Sequence, residues 1–203
     1  TAILLTHHHA DHVAGVSDML KFITVPVYSP SINIKDTSYI VENNNIIDLG
    51  FIKITVISTP GHTLDHVVYY NKQNKLLFSG DTLFRLGCGR VFEGTFNSMH
   101  QSLQRIKTLE DETMVYCGHE YTKNNLNFLE SIFSNNLDLQ ITKNEINEQL
   151  KHTNSSIPFN LGSEKQINPF LSSNNEFYQK FKITKKFTDF QMFCFLRELK
   201  DKF

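Results

Sequence analysis

Seven consecutive residues, Thr6-His7-His8-His9-Ala10-Asp11-His12, gather four imidazoles and a carboxylate. Neutral imidazole and carboxylate oxygen are donors that suit zinc and related divalent metals. In an extended chain, alternation by two sends His7, His9 and Asp11 to one side. A turn at Ala10-Asp11 would swing His12 round to a neighbouring position. One short segment could therefore feed two adjacent metal positions, with His8 left over. A run of three histidines can also be a surface tract or a tag remnant. A tag, however, would not continue as Ala-Asp-His into the apolar spacing of Val13, Val16, Met19 and Leu20.

Three further candidates share one construction: an apolar, strand-like run, then a glycine, then His or Asp. Thr59-Pro60-Gly61-His62-Thr63 follows residues 51–57, Phe78-Ser79-Gly80-Asp81-Thr82 follows 75–77, and Val115-Tyr116-Cys117-Gly118-His119-Glu120 follows 113–114. Glycine lets the backbone turn sharply and lets another group approach closely. Taken singly, a His or Asp after Gly is an ordinary turn residue. Four such sites in one chain, all at strand ends, point to a metal centre.

These motifs, His7-x-His9-x-Asp11-His12, Gly61-His62, Gly80-Asp81-Thr82 and Gly118-His119-Glu120-Tyr121, resemble those of the metallo-β-lactamase superfamily. Within it the chain is similar to glyoxalase II, the hydroxyacylglutathione hydrolases, over nearly its whole length. The resemblance implies an α/β fold: a metallo-β-lactamase-like αββα sandwich over residues 1–121, N-terminally incomplete, and a small helical substrate-binding domain over 122–203. It implies two divalent metal ions, zinc first, with iron or manganese also compatible with these donors. His7, His9 and His62 would hold one ion. Asp11, His12 and His119 would hold the second. Asp81 would bridge the two, and Asp11 and Asp81 are the catalytic carboxylates of this reading.

Other residues bear on the substrate. Gly87-Cys88-Gly89-Arg90-Val91-Phe92-Glu93-Gly94-Thr95 resembles the glyoxalase II loop in which a basic residue and an aromatic contact glutathione. Arg90 fits the basic position, and Phe92 stands where the family usually has Tyr. Tyr121 matches a substrate-contacting tyrosine. Pro158-Phe-Asn-Leu161, Asn168-Pro169-Phe170-Leu171 and Arg197-Glu-Leu-Lys200-Asp201 resemble segments of the family's helical domain. Arg197 and Lys200, three apart, share a helix face. That pair suits the glutathione carboxylates, although cations also suit any helix C-terminus.

The resemblance implies hydrolysis of S-D-lactoylglutathione to D-lactate and glutathione by a hydroxide held between two metals, the second step of methylglyoxal detoxification. The main alternative is a persulfide dioxygenase of the same superfamily, with one iron on two His and one Asp. β-Lactamases of the closest metal-site subgroup carry Cys where this chain has Asp81, and flavodiiron carriers want Glu at the place of His9.

With 203 residues the chain can form one or two domains with a real core. A net charge of −1 gives no reason to expect nucleic acid or an anionic membrane as partner. No apolar run is long enough to cross a bilayer. The expected partner is the small-molecule thioester, and a monomer is expected with oligomers left open. Cys88, Cys117 and Cys194 are too few and scattered for a disulfide framework, which fits a reducing, cytoplasmic setting. The family has further N-terminal strands before the point where Thr1 stands. A targeting segment would lie there, so an organellar form stays open. An incomplete sheet would also expose an apolar edge.

The elements that must position these residues are legible in outline. Residues 2–5 and 25–28 read as strands and 16–22 as a helix. Residues 51–57 alternate as a strand does. Residues 67–70 and 75–78 flank the polar Asn71-Lys-Gln-Asn74 as a hairpin. Asn97-Ser98 could cap a helix through Ile106, with Met99, Leu103 and Ile106 inward and Gln101, Ser102 and Gln104 outward. Beyond His119 no strand is expected. Helices are expected over 124–133, over 142–150 with a Thr142/Glu145 capping box, and over 188–200.

Overall fold

The computed structural model describes residues 2–172 and 174–203. The first strand, β1 (Ile3–Leu4), ends just before the histidine cluster, and the turn foreseen at Ala10-Asp11 is a short helix, α1 (Ala10–Val13). The next helix, α2 (Val16–Met19), stops short of the expected Phe22. Residues 22–25 are Phe-Ile-Thr-Val ahead of Pro26, a run rich in β-branched residues before a proline, which favours extended chain. That run leads into β2 (Val27–Ser29), parallel to β1, and then β3 (Tyr39–Ile40), parallel to β2.

A larger sheet follows. Its strands are β4 (Ile46–Asp48), β5 (Lys53–Ser58), β6 (Val67–Asn71) and β7 (Leu76–Gly80); a two-stranded hairpin, β8 (Leu83–Phe84) and β9 (Gly87–Cys88), stands apart. Then come α3 (Phe96–Lys107), β10 (Met114–Cys117), α4 (Thr122–Ile132), α5 (Leu137–Thr153), β11 (Phe159–Asn160), α6 (Leu161–Ile167), a 3-10 turn at Pro169–Leu171, α7 (Glu176–Lys185) and α8 (Asp189–Lys200). The strand order is β11-β10-β7-β6-β5-β4, with β10 parallel to β7 and the other neighbours antiparallel.

Both faces of this sheet are covered, which is why β6 reads as Val-Val-Tyr-Tyr before Asn71 and is buried at all five positions. Val67 and Tyr69 pack with Ile54 and Val56 toward the small sheet, against Leu4, Tyr28 and Val41. Val68, Tyr70, Leu77 and Val115 turn the other way, onto Leu103, Leu126 and Phe193 of the helices. A third cluster, Leu5, Val16, Val27 and Ile34, seals the outer face of the small sheet. The result is four layers, helix–sheet–sheet–helix. The Tyr69 hydroxyl donates to the Leu5 carbonyl at 2.7 Å and so ties one sheet to the other.

Several expectations need correction. Helix α3 starts earlier, because Thr95 caps it in a reciprocal box with Ser98. Ser102 faces inward and donates to the Pro60 carbonyl at 2.8 Å. Helix α5 begins at Leu137 under an Asn136 cap, so Thr142 lies inside it and donates to the Asp138 carbonyl instead of opening the helix. Beyond His119 there is a strand after all: β11 completes the edge of β10, with Phe159 opposite Val115. Helices α4 to α8 share one apolar cluster with β6, β7, β10 and α3. No helix among the described residues is long and apolar enough to cross a membrane.

Candidate metal centre

Strands β5, β7 and β10 run in the same direction, since β5 and β7 are both antiparallel to β6 and β10 is parallel to β7. Their C-terminal ends therefore deliver His62, Asp81 and His119 to one end of the sheet. The Val67 amide bonds the Thr6 carbonyl at 2.9 Å, which sets the end of β1 beside them. Two glycines make the approach possible. Gly80 has φ +48°, a conformation other residues resist. A side chain at Gly118 would collide with Asp81 Oδ1 and His12.

The seven residues expected as ligands converge. His9 Nδ1 lies 3.0 Å from His62 Nε2, and His7 has its ring centroid 4.8 Å and 5.0 Å from theirs. On the other side His119 Nε2 lies 3.2 Å from His12 Nε2 and 3.2 Å from Asp11 Oδ2. Asp81 stands between the groups: Oδ1 is 3.3 Å from His12 Nε2, and Oδ2 is 3.5 Å from His62 Nε2 and 3.4 Å from His119 Nε2. In each of the sets His7/His9/His62, Asp11/His12/His119 and His7/His12/Asp81, one donor atom per residue falls within 4.8 Å of the others.

This donor set fits divalent metal. Ligands at 2.0–2.1 Å in a tetrahedron stand about 3.3 Å from one another, close to the separations here. His7 Nε2 and Asp81 Oδ1 are buried without a hydrogen-bond partner, an arrangement that an ion between them would satisfy. Burial pushes His7 well below the ordinary imidazole range, helped by the neighbouring imidazoles, and it also lowers His62. Both are thus held neutral, the form that ligates metal. His12 is shifted upward by the Asp81 carboxylate beside it.

Outer partners fix the rings. His62 Nδ1 donates to the Arg90 carbonyl at 2.8 Å, leaving Nε2 free for metal. Thr6 Oγ1 sits 3.0 Å from His7 Nδ1. Sequence reasoning missed His66. It is fully buried, stacks on His7 at 4.8 Å, and its Nε2 accepts the Asp81 amide at 3.0 Å while Nδ1 meets Thr59 and Thr82 hydroxyls. Its one sequence signal is its place four residues after His62, at the mouth of β6.

The expected substrate residues surround this centre. Tyr121 stacks on the His119 ring at 4.9 Å. Phe92 is 59% exposed with its ring 5.2 Å from His62, and the Arg90 guanidinium lies over it at 5.4 Å. Arg90, Asn124, Arg197, Lys200, Asp201 and Phe203 line a cleft of about 210 Å³. Arg197 is no solvated helix end: it is buried, donating to the Cys88 carbonyl at 3.1 Å and to Asp201 at 3.0 Å. Lys200 lies 4.8 Å over the Phe128 ring, and burial, with Arg197 nearby, brings its ammonium down to about 8. A larger cavity of about 740 Å³ beside α5 and α6 holds none of these donors, so size alone does not locate the chemistry.

Four layers with such a cluster at the strand ends define the metallo-β-lactamase class. The model described as the metallo-beta-lactamase superfamily matches residues 1–45 and 30–119, and that described as the hydroxyacylglutathione hydrolase C-terminus matches 120–203. A hydroxyacylglutathione hydrolase of Pectobacterium atrosepticum is 43% identical over 207 residues, covering 100% of this chain and 81% of the relative. One from Bdellovibrio bacteriovorus is 39% identical over 212 residues, covering 99% and 79%. The chain belongs to the hydroxyacylglutathione hydrolase family of that superfamily. Among solved structures, ETHE1 from Myxococcus xanthus matches with TM-score 0.61 at 24% identity, covering 93% of this chain and 70% of that one. A di-iron-bound TTHA1623 matches with TM-score 0.51 at 30% identity over 58% of this chain and 69% of that one.

Proposed function

We propose that this enzyme hydrolyses S-D-lactoylglutathione to D-lactate and glutathione at a two-metal centre. The observation that carries this reading is the pair of complete donor triads with Asp81 between them. His7, His9 and His62 would hold one ion, Asp11, His12 and His119 the other, and Asp81 would touch both. When bound, two such ions lower the pKa of water towards about 7 and polarise a carbonyl. The names of the relatives support the thioester substrate.

The chain's own residues then divide the remaining work. His66 holds the Asp81 backbone, and through it the bridging carboxylate, in place. Arg90 and Lys200 face the cleft with cations suited to the glutathione carboxylates. Phe92 and Tyr121 wall the route between that cleft and the metal donors. Zinc is the first choice of metal, with iron or manganese accepted by the same donors. The three cysteines are unpaired, which accords with a reducing, cytoplasmic compartment.

The test is a paired assay on the metal-analysed protein: loss of the thioester bond of S-D-lactoylglutathione beside sulfite release from glutathione persulfide. Thioester turnover with two metals per chain is expected. Sulfite release with one iron and no thioester turnover would replace this reading by the dioxygenase one.

A further inference from the structure

His8 is the histidine of the opening cluster that neither triad takes up. Its ring is half exposed at the mouth of the centre, 5.2 Å from the ring of His9. Each of its nitrogens meets a carboxylate from a different loop. Nδ1 lies 3.0 Å from Asp65 Oδ2 and 3.1 Å from Oδ1, and Nε2 lies 3.1 Å from Glu93 Oε1. Asp65 closes the loop that carries His62, and Thr63 Oγ1 donates to it at 2.6 Å. Glu93 follows Phe92 on the neighbouring loop, and its Oε2 accepts the Leu64 amide at 2.9 Å. His8, Glu93, residues 63–64 and Asp65 thus form a closed ring of contacts. Without His8 between them, the two carboxylates would face each other with no donor to share, a repulsive arrangement.

The same two loops are joined along their backbones. The Phe92 and Glu93 amides reach the His62 carbonyl at 3.2 Å and 3.4 Å, and the Gly94 amide reaches the Gly61 carbonyl at 3.1 Å. His8 sits at the open end of this seam. We infer that His8 is a positioning residue: by bridging Asp65 and Glu93 it locks residues 90–94 onto residues 61–65, and so fixes where Arg90 and Phe92 stand relative to the metal donors. Its effect on substrate rests on the glutathione reading above, whereas its effect on the loop does not.

The experiment has two parts, both on the full chain loaded with zinc. Kinetics compare the parent, His8→Ala and His8→Gln on S-D-lactoylglutathione and on a short acyl thioester that lacks the tripeptide. For His8→Ala, KM for the glutathione thioester should rise about three- to tenfold, the scale of one charge-assisted contact. Its kcat, its metal content and its kcat/KM on the short thioester should stay near the parent values. His8→Gln keeps an N–H donor for one carboxylate and should recover part of the loss. Amide hydrogen exchange over residues 90–94 should quicken in His8→Ala and return toward parent in His8→Gln. Unchanged exchange would overturn the inference, as would equal losses on both thioesters or a fall in bound metal. If the parent cleaves neither thioester, the proposed activity has failed, and hydrogen exchange alone still decides the role of His8.

Discussion

Asp81 carries more of the centre than any other single residue, because its two oxygens face both triads from a position only 5% exposed. Asp81→Ala should remove the shared donor, bring bound metal from the proposed two ions per chain to fewer than one, and lower kcat/KM by about 10³-fold or more. Metal analysis beside kinetics checks this, and retention of both ions with full turnover would contradict it. Phe92 gives a gentler test. Its ring already stands beside His62 under the Arg90 guanidinium, so a para-hydroxyl added there stands beside the candidate metal donors and Arg90. Phe92→Tyr should tighten glutathione thioester binding by about 0.5–1.5 kcal/mol, the net worth of one hydrogen bond, with kcat little changed. Arg90→Ala should raise KM in either background. Lys200 adds a pH signature. With its ammonium brought down to about 8 by burial, it loses its charge as pH rises through that value. KM for the anionic substrate should therefore climb above about pH 8 in the parent. Lys200→Ala should begin with a higher KM and show no such climb. Parallel profiles in parent and variant would remove Lys200 from substrate binding.

Helix α8 shows how an element can be read correctly while one of its residues is not. A helix over 188–200 follows from the sequence, and it is found at Asp189–Lys200, capped by Thr188. The i, i+3 spacing of Arg197 and Lys200 suggested one shared cationic face for the glutathione carboxylates, yet Arg197 is also one turn beyond Phe193, and the inner face of the helix takes it. It there meets the carbonyls of Cys88 and Gly89, at the foot of the loop that carries Arg90 and Phe92. Arg197→Ala should accordingly lower stability by about 2–3 kcal/mol, as loss of a buried charged donor does, and raise KM besides. Calorimetry beside kinetics separates these effects; a raised KM with an unchanged Tm would make Arg197 a substrate contact with no structural part. The cluster of candidate donors that converges on Asp81 was legible because ligation demands particular side chains and because each motif follows a strand and, for three of the four, a glycine. His66 was not legible, since its role is to receive the Asp81 amide across a turn that only the assembled sheets create. Strand β11 was hidden for a similar reason. Two residues carry no periodicity, and what makes them a strand is the open edge of β10.

At the scale of the molecule, one of the contacts between the helices and the sheets is a buried carboxylate. Glu164 of α6 accepts the Leu86 amide at 2.8 Å and the Asn168 side-chain amide at 3.0 Å, and Asn168 in turn reaches the Gly87 carbonyl at 3.1 Å. Leu86 stands at φ +59° in the tight connection between β8 and β9, just ahead of the loop that carries Arg90 and Phe92. A helix from the C-terminal half thus holds a strained turn of the sheet half. Burial, only partly offset by those hydrogen bonds and by Arg85, pushes the Glu164 carboxyl up to about 7 from an ordinary value of 4.5. Between these values the folded chain keeps a proton that the unfolded chain has released. The stability due to Glu164 is therefore fully present below about pH 4.5 and falls as pH rises through 7. The total is on the order of 3 kcal/mol, each pKa unit being worth about 1.4 kcal/mol. Glutamine in its place accepts the same Leu86 amide and cannot ionise. Every other ionisable group is common to parent and variant, so subtracting the two unfolding curves isolates Glu164. From pH 5 to pH 8 the Tm of Glu164→Gln should rise relative to the parent, by several degrees at the upper end. Curves that stay parallel across that range would mean that Glu164 is ionised in the fold and that its charge is met by Arg85.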